Sequence, residues 1–161
     1  DATGILAADE PICFCSMEMR GLMAGEFILA FNDASGWALA DLLLGQAMGT
    51  TDEWTEMATS AALETTNILC CAYLNSLARS LSKTDDARVF VPSPPKFNCD
   101  FAESMLEFAL MGQAVSSDFV ILARTRFEIA GAPVNWTLLF IPDAESMSRL
   151  LKLLPTGEAE Q

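Results

Sequence analysis

The sequence predicts an α+β layered domain: one antiparallel sheet, built from two duplicated β-hairpins, with helices packed on it. Two observations carry this reading. The first is an internal repeat. "MEMRGLMAGEFILAFNDA" (Met17–Ala34) aligns without gaps on "FEIAGAPVNWTLLFIPDA" (Phe127–Ala144). Glu18 matches Glu128, Gly21 matches Gly131, Leu29 matches Leu139, Asp33 matches Asp143 and Ala34 matches Ala144. Each copy reads as strand, turn, strand and Asp-capped helix, so the two copies are expected to lie in one sheet about an approximate two-fold. The second is composition. The chain has 161 residues, 52% of them apolar and 19% charged, enough to fill a single core without disulfide staples. The whole of 1–161 is therefore read as one domain.

The elements follow in order. "PICFCSMEMRG" and "GEFILAFND" are strand-like and are broken by "GLMAG". "NDASG" opens a helix that runs through "WALADLLLGQAMG" and ends on glycine. Thr50 with Glu53 three residues later has capping-box spacing, and a long helix from about Thr51 to Leu81 is expected after it. "SKTDDAR" is a polar loop. "VFVPSPPKF" is a short strand ended by prolines. Asp100 with Glu103 can cap the next helix, "FAESMLEFALMGQAV". Two strands, "DFVILARTRFEIAG" and "VNWTLLFIPD", precede a last helix, "AESMSRLLKLL".

Charge and residue types exclude several functions. Lys and Arg number 9, Asp and Glu 22, and His is absent, for a net charge of −13. So acidic a chain offers no phosphate-neutralising patch, which argues against nucleic acid and against an anionic membrane surface. Without histidine the usual general base, the serine triad and most zinc sites are gone. No apolar run is long enough for a membrane span, and no secretory signal is visible. A cytoplasmic location is expected. The five cysteines lack C-x-x-C spacing: Cys13 and Cys15 are two apart, Cys70 and Cys71 adjacent on a helix, and Cys99 alone. All five are expected to be reduced and free of metal.

The long helix holds the candidate site. Ser60, Glu64, Asn67 and Cys71 recur at spacings of four, three and four, so they form one stripe. Trp54, Met57, Ala61, Ile68 and Ala72 are expected to form the stripe that lies on the sheet. A polar stripe is often no more than a solvated face. Here, however, it joins a carboxamide, which both donates and accepts, to a carboxylate one turn away. Such a pair suits orienting a water against an already labile bond, because phosphoryl chemistry depends mainly on positioning and electrostatics.

At this point the chain resembles a family. S-x-x-x-E-x-x-N at Ser60, Glu64 and Asn67, followed by "ILCCAYLNSLARSL" and by "PSPP" at Pro92–Pro95, is similar to the signature of the CheC/CheX/FliY phosphatases of bacterial chemotaxis. The hairpin before "FNDASGWALADLLLG" and the ending "LLFIPDAESMSRLLKLL" extend the resemblance over most of the chain. It implies a CheC-like fold and a phosphatase acting on phosphorylated CheY-like response regulators. Asn67 would orient the attacking water toward the aspartyl phosphate. Glu64 would pair with the regulator's active-site lysine, and Ser60 would support them. The resemblance implies no cofactor on this chain, with Mg²⁺ brought by the regulator. A homodimer is among the assemblies it allows. The alternative is a non-catalytic CheC-like adaptor or flagellar-switch module. Three departures stand out. Thr66 replaces the family's frequent glycine before the asparagine and is expected to hinder the partner's approach. The stretch to the last proline is longer than the family's. Only "DATGILAADEP" precedes the first hairpin, with no second E-x-x-N, so either the chain has one site or an N-terminal segment is missing.

Overall fold

The computed structural model describes residues 11–21, 24–81, 90–101, 104, 123–128 and 134–153. Strand β1 (Pro11–Gly21) alternates. Ile12, Cys13, Cys15, Met17 and Met19 are buried, while Glu18 and Arg20 are exposed and form an ion pair of 3.3 Å. This period of two is what a strand with one covered face requires. Strand β2 (Gly25–Phe31) does not alternate, because Phe27 to Phe31 are all buried. Strand β6 (Asn135–Pro142) behaves likewise from Trp136 to Ile141. These two unbroken buried runs, apolar except for Thr137, are the middle of the sheet, covered on both faces.

Among the described residues every strand pairing is antiparallel. Strands β3 (Phe90–Pro92) and β4 (Lys96–Phe101) both pair with β1, β5 (Ala123–Glu128) pairs with β6, and the order is β3-β1-β2-β6-β5. The two hairpins, β1-β2 and β5-β6, thus lie in one sheet and meet along β2 and β6. The predicted α+β class and the joined hairpins both hold. The gapless match between the copies does not. Glu18 lies opposite Glu26 in the first hairpin; a gapless repeat would set Glu128 opposite Trp136, but it lies opposite Asn135. The second hairpin closes one residue sooner. The helix starts also slip by one residue, but the other way: Asn32 caps the first through a 2.9 Å bond from Ser35 N, and Asp143 caps the second through a 2.7 Å bond from Ser146 N. The structurally matched caps are Asn32 and Asp143, not the Asp33 and Asp143 of the sequence match.

Helix α1 (Asp33–Leu44) ends at Gly45, whose φ of 66° is the left-handed conformation that closes helices. Helix α2 (Glu56–Leu81) and helix α3 (Ala144–Leu153) are the other helices with described bounds. The main core gathers Cys15, Met17, Met19, Phe27, Leu29, Phe31, Trp136, Leu138 and Phe140 from one face of the sheet, Ala38 and Leu39 from α1, and Ala62, Cys70 and Leu74 from α2. Stacked rings tie it together: Phe31 on Trp136 at 4.0 Å and Phe27 on Phe140 at 4.5 Å.

Three expectations need correction. Thr50 and Glu53 do not open α2. The start is Thr55, whose Oγ1 accepts from Ala58 N at 3.2 Å. The residues before it are claimed by buried Asp41, whose carboxylate accepts from Gly49 N (2.8 Å), Thr50 N (3.0 Å), Thr51 N (2.9 Å) and Thr51 Oγ1 (2.6 Å). Asp100 is not a helix cap but part of β4. The face of α2 set against the sheet is also not the predicted one, since Met57 and Ile68 are 61% and 57% exposed. Of the expected stripe Ala61 is buried, and the other buried positions are Ala58, Ala62, Thr66, Cys70 and Leu74, a four-residue step. The predicted helix "FAESMLEFALMGQAV" lies outside the described residues, apart from Ser104.

Candidate functional site

Helix α2 carries the S-x-x-x-E-x-x-N stripe on the side away from the four-residue apolar step. Ser60 and Glu64 are exposed and Asn67 is half-buried. The helix does not present them alone. Across from them stands the turn Ser93–Pro95 between β3 and β4, and the two walls enclose a cleft of about 410 Å³. Ser60, Leu63, Glu64 and Asn67 line one side; Pro92, Ser93, Pro94 and Pro95 line the other. The motif and the proline run, which the sequence separates by more than twenty positions, therefore form one feature. The polar segment "SKTDDAR" between them lies outside the described residues.

The proline wall is braced. Ser93 N donates to Glu18 O at 2.8 Å, and Glu18 N donates to Ser93 Oγ at 2.9 Å. The Ser93 hydroxyl in turn donates to Pro94 O at 3.2 Å. Proline supplies no N–H and has a fixed φ, so the edge strand breaks here and restarts as β4. The helix wall is braced from beneath by Thr66, which is fully buried and donates from Oγ1 to Ala62 O at 2.8 Å. One residue along a helix is a rotation of about 100°, enough to turn Thr66 to the core while Asn67 stays in the cleft. The expectation that Thr66 hinders a partner is thus wrong.

Within the cleft, Asn67 Oδ1 has a long contact of 3.8 Å from Cys71 Sγ. Among the described residues Glu64 has no cationic partner. The cleft can offer an outside group one carboxylate, one carboxamide and the hydroxyls of Ser60 and Ser93, beside an apolar leucine and prolines. It has no basic residue among its lining, so it is suited to a partner that supplies positive charge.

The cysteines depart from expectation. Cys13 and Cys99 are Cα partners in the β1–β4 ladder, 4.1 Å apart, and are joined by a disulfide. Cys15, Cys70 and Cys71 are free. The sequence reading isolated Cys99 because it assigned no strand to "KFNCDF". The signal was present as alternation of Phe97, Cys99 and Phe101 with Lys96, Asn98 and Asp100, but six residues after a proline pair make a weak period. Burial raises Cys15 to about 11 and Cys70 to about 12, so neither is a ready thiolate. Beside the disulfide lies Asp33. Its Oδ1 accepts from Trp54 Nε1 at 2.8 Å, and Cys13 Sγ is 3.1 Å away. Trp54 itself packs on Phe97 of β4 at 4.7 Å and on Phe31 at 5.8 Å. The atoms Cys13 Sγ, Cys99 Sγ and the Asp33 carboxylate oxygen lie within 4.8 Å of one another.

No family model matches the sequence, and no curated protein is similar to it. Solved structures are similar in fold. Thermotoga maritima FliY superposes with a TM-score of 0.64 at 18% identity, over 94% of this chain and 73% of that one. A Desulfovibrio desulfuricans chemotaxis protein CheX gives 0.54 at 11%, over 83% of each chain. A CheX of Borrelia burgdorferi, solved in complex with CheY, BeF3 and magnesium, gives 0.51 at 13%, over 88% of this chain and 89% of that one. No helix among the described residues is long and apolar enough to cross a membrane. The fold of this chain is that of FliY and CheX, the CheC-like fold that its motif and hairpins resemble.

Proposed function

We propose that this protein is a phosphatase of CheY-like response regulators, in chemotaxis signalling, and that Asn67 and Glu64 are its catalytic pair. The observation that supports the reading is the single cleft in which Ser60, Glu64 and Asn67 face the Pro92–Pro95 wall. The motif is displayed, not packed away, on a helix whose other side is locked to the sheet. The CheX of similar fold that was solved with CheY and BeF3 makes a regulator the partner of choice.

In this reading the helix inserts its stripe at the regulator's phosphorylated aspartate. The Asn67 carboxamide holds a water in line with the phosphorus. The water oxygen bonds to phosphorus, the bond to the aspartate oxygen breaks, and phosphate leaves with the aspartate as its carboxylate. The regulator's own Mg²⁺ and lysine offset the charge that builds on the phosphoryl oxygens. Glu64, without a cation of its own among the described residues, takes the regulator's lysine as partner. Ser60, one turn before Glu64, supports that contact.

The test is the decay of a phosphorylated regulator with and without the protein. The parent should accelerate it. Asn67→Ala should abolish the acceleration while leaving the fold intact, since Asn67 is only half-buried and its contact with Cys71 Sγ is a long 3.8 Å. Glu64→Ala should weaken regulator affinity and rate together. If Asn67→Ala is as fast as the parent, Asn67 has no such role. A parent that binds phosphorylated regulator without hastening its decay would be an adaptor.

A further inference from the structure

We propose that Cys13 and Cys99 form a reversible thiol–disulfide site, with Asp33 as the base that closes it, and that its oxidised form pins the proline wall of the cleft. The proposal does not depend on the phosphatase reading. Three features support it. The two residues face each other directly across β1 and β4, 4.1 Å apart at Cα, so the strand pairing itself brings the two sulfurs together. The two ends differ in access: Cys99 is exposed and Cys13 is 2% exposed. Lastly, Cys13 Sγ is 3.1 Å from Asp33 Oδ1. A disulfide sulfur has no proton to donate, so that contact is a hydrogen bond only when Cys13 is a thiol.

The asymmetry assigns an order to the chemistry. With a small disulfide such as glutathione disulfide as oxidant, the exposed Cys99 thiolate attacks one of its sulfurs and releases one glutathione thiolate. Cys13 then attacks the Cys99 sulfur of the mixed disulfide. Its proton passes to the Asp33 carboxylate and from there to the second glutathione thiolate as it departs. Two protein thiols and one glutathione disulfide have become one protein disulfide and two glutathione thiols. Excess glutathione runs the sequence backwards, entering at Cys99.

The consequence for the cleft follows from topology. β4 begins immediately after Ser93–Pro95, and the disulfide adds to the ladder that pairs it with β1 from Lys96 to Phe101 and to the packing of Phe97 on Trp54. Trp54 is the residue before the Thr55 cap of α2 and donates to Asp33. Strand, proline wall, helix start and redox pair therefore share one set of contacts. Covalent closure holds β4 on β1 and with it the wall.

The experiment uses the full chain. It is equilibrated with glutathione disulfide or with glutathione, quenched in acid, alkylated under denaturing conditions and mapped by mass spectrometry. The oxidised sample should carry three alkylated cysteines, Cys15, Cys70 and Cys71, and a Cys13–Cys99 cross-linked peptide; the reduced sample should carry five. Asp33→Asn, which keeps the acceptor for Trp54, should slow closure and accumulate chain glutathionylated at Cys99. Hydrogen exchange of the β4 amides should be slower in the oxidised chain. Five alkylated cysteines in both samples, or a different cross-link, overturns the site. So does a metal ion, released on acid quench, that had kept Cys13 and Cys99 unreacted. Unchanged mixed-disulfide lifetime in Asp33→Asn overturns the role of Asp33. Equal exchange rates overturn the link to the wall.

Discussion

Thr66→Gly discriminates between the two positions that the sequence and the structure give this side chain. By resemblance, glycine beside Asn67 should clear the partner's path and raise activity. By structure, the substitution acts on the core. Thr66 is fully buried, with its hydroxyl bonded to Ala62 O at 2.8 Å. Removing Cβ and Cγ2 forfeits about 0.8 kcal/mol per buried carbon, so about 1.6 kcal/mol. Glycine in a helix interior is about 1 kcal/mol worse than alanine, and threonine up to about 0.7 kcal/mol worse, so the backbone adds about 0.3 kcal/mol. The total is about 2 kcal/mol before any cavity term, a large share of the 5–15 kcal/mol typical of whole domains. At this chain length each kcal/mol lowers Tm by about 2–4 °C, which gives a fall of about 4–8 °C. The assay pairs a thermal melt by circular dichroism with regulator dephosphorylation at a temperature where both variants are folded. A drop in Tm with no gain in rate is expected. A faster enzyme with an unchanged Tm would refute the buried placement.

Other perturbations test other parts of the fold. Gly36→Ala would put a Cβ 2.4 Å from Trp54 Cη2 and 2.6 Å from Cζ2, so the ring must move; overpacking of this kind costs about 1–3 kcal/mol and should show in urea unfolding. Asp41 should govern acid stability. The Thr51 hydroxyl, with the Thr51, Gly49 and Thr50 amides, holds its carboxyl below the usual carboxylate value. A depressed carboxylate stabilises the fold above its unfolded value of 3.8, and that gain is lost as pH falls through the folded value. Asp41→Asn should thus lower stability at neutral pH and flatten the decline below about pH 4 in a pH series of melts. Ser93→Ala removes the acceptor for Glu18 N; the proline wall should loosen, weakening regulator binding while the rate at saturation is kept, as read from KM against kcat.

The sheet was legible because its signals are dense. β1 is legible as Pro11–Gly21, its observed span, because a run rich in Ile, Phe and Met is broken by "GLMAG". The joined hairpins followed from the repeat. The one-residue slip between copies was not legible, since a gapless match of apolar residues survives a shift that only a ladder register reveals. The stripe Ser60, Glu64 and Asn67 was legible from spacing, but the buried face of its helix was not. Met57 and Ile68 look like core by type, whereas the buried face is built of small residues, Ala62, Thr66 and Cys70 toward the sheet and Ala58 with Ala61 against Ala40 of α1. The cap was misread because Thr50 and Thr51 serve Asp41, a partner ten positions back that no local pattern announces.

That small-residue face has a functional corollary. A helix resting on alanine, threonine and cysteine at a four-residue step sits close and has little room to roll, because packed interiors resist even methylene-scale changes. Its outer stripe is then fixed relative to the sheet, and so is the proline wall, tied to β1 by the reciprocal Ser93–Glu18 bonds of 2.8 and 2.9 Å. Both walls of the cleft thereby refer to one strand: α2 packs over β1 residues Cys15 and Met17, and the prolines hang from its far end at Glu18. A site made of one carboxamide and one carboxylate has no strong nucleophile, so any rate enhancement it gives must come from placement. Rigidity of the two walls is the property such a site most needs, and the residues that confer it, Thr66 and Ser93, are the ones a search for reactive side chains passes over.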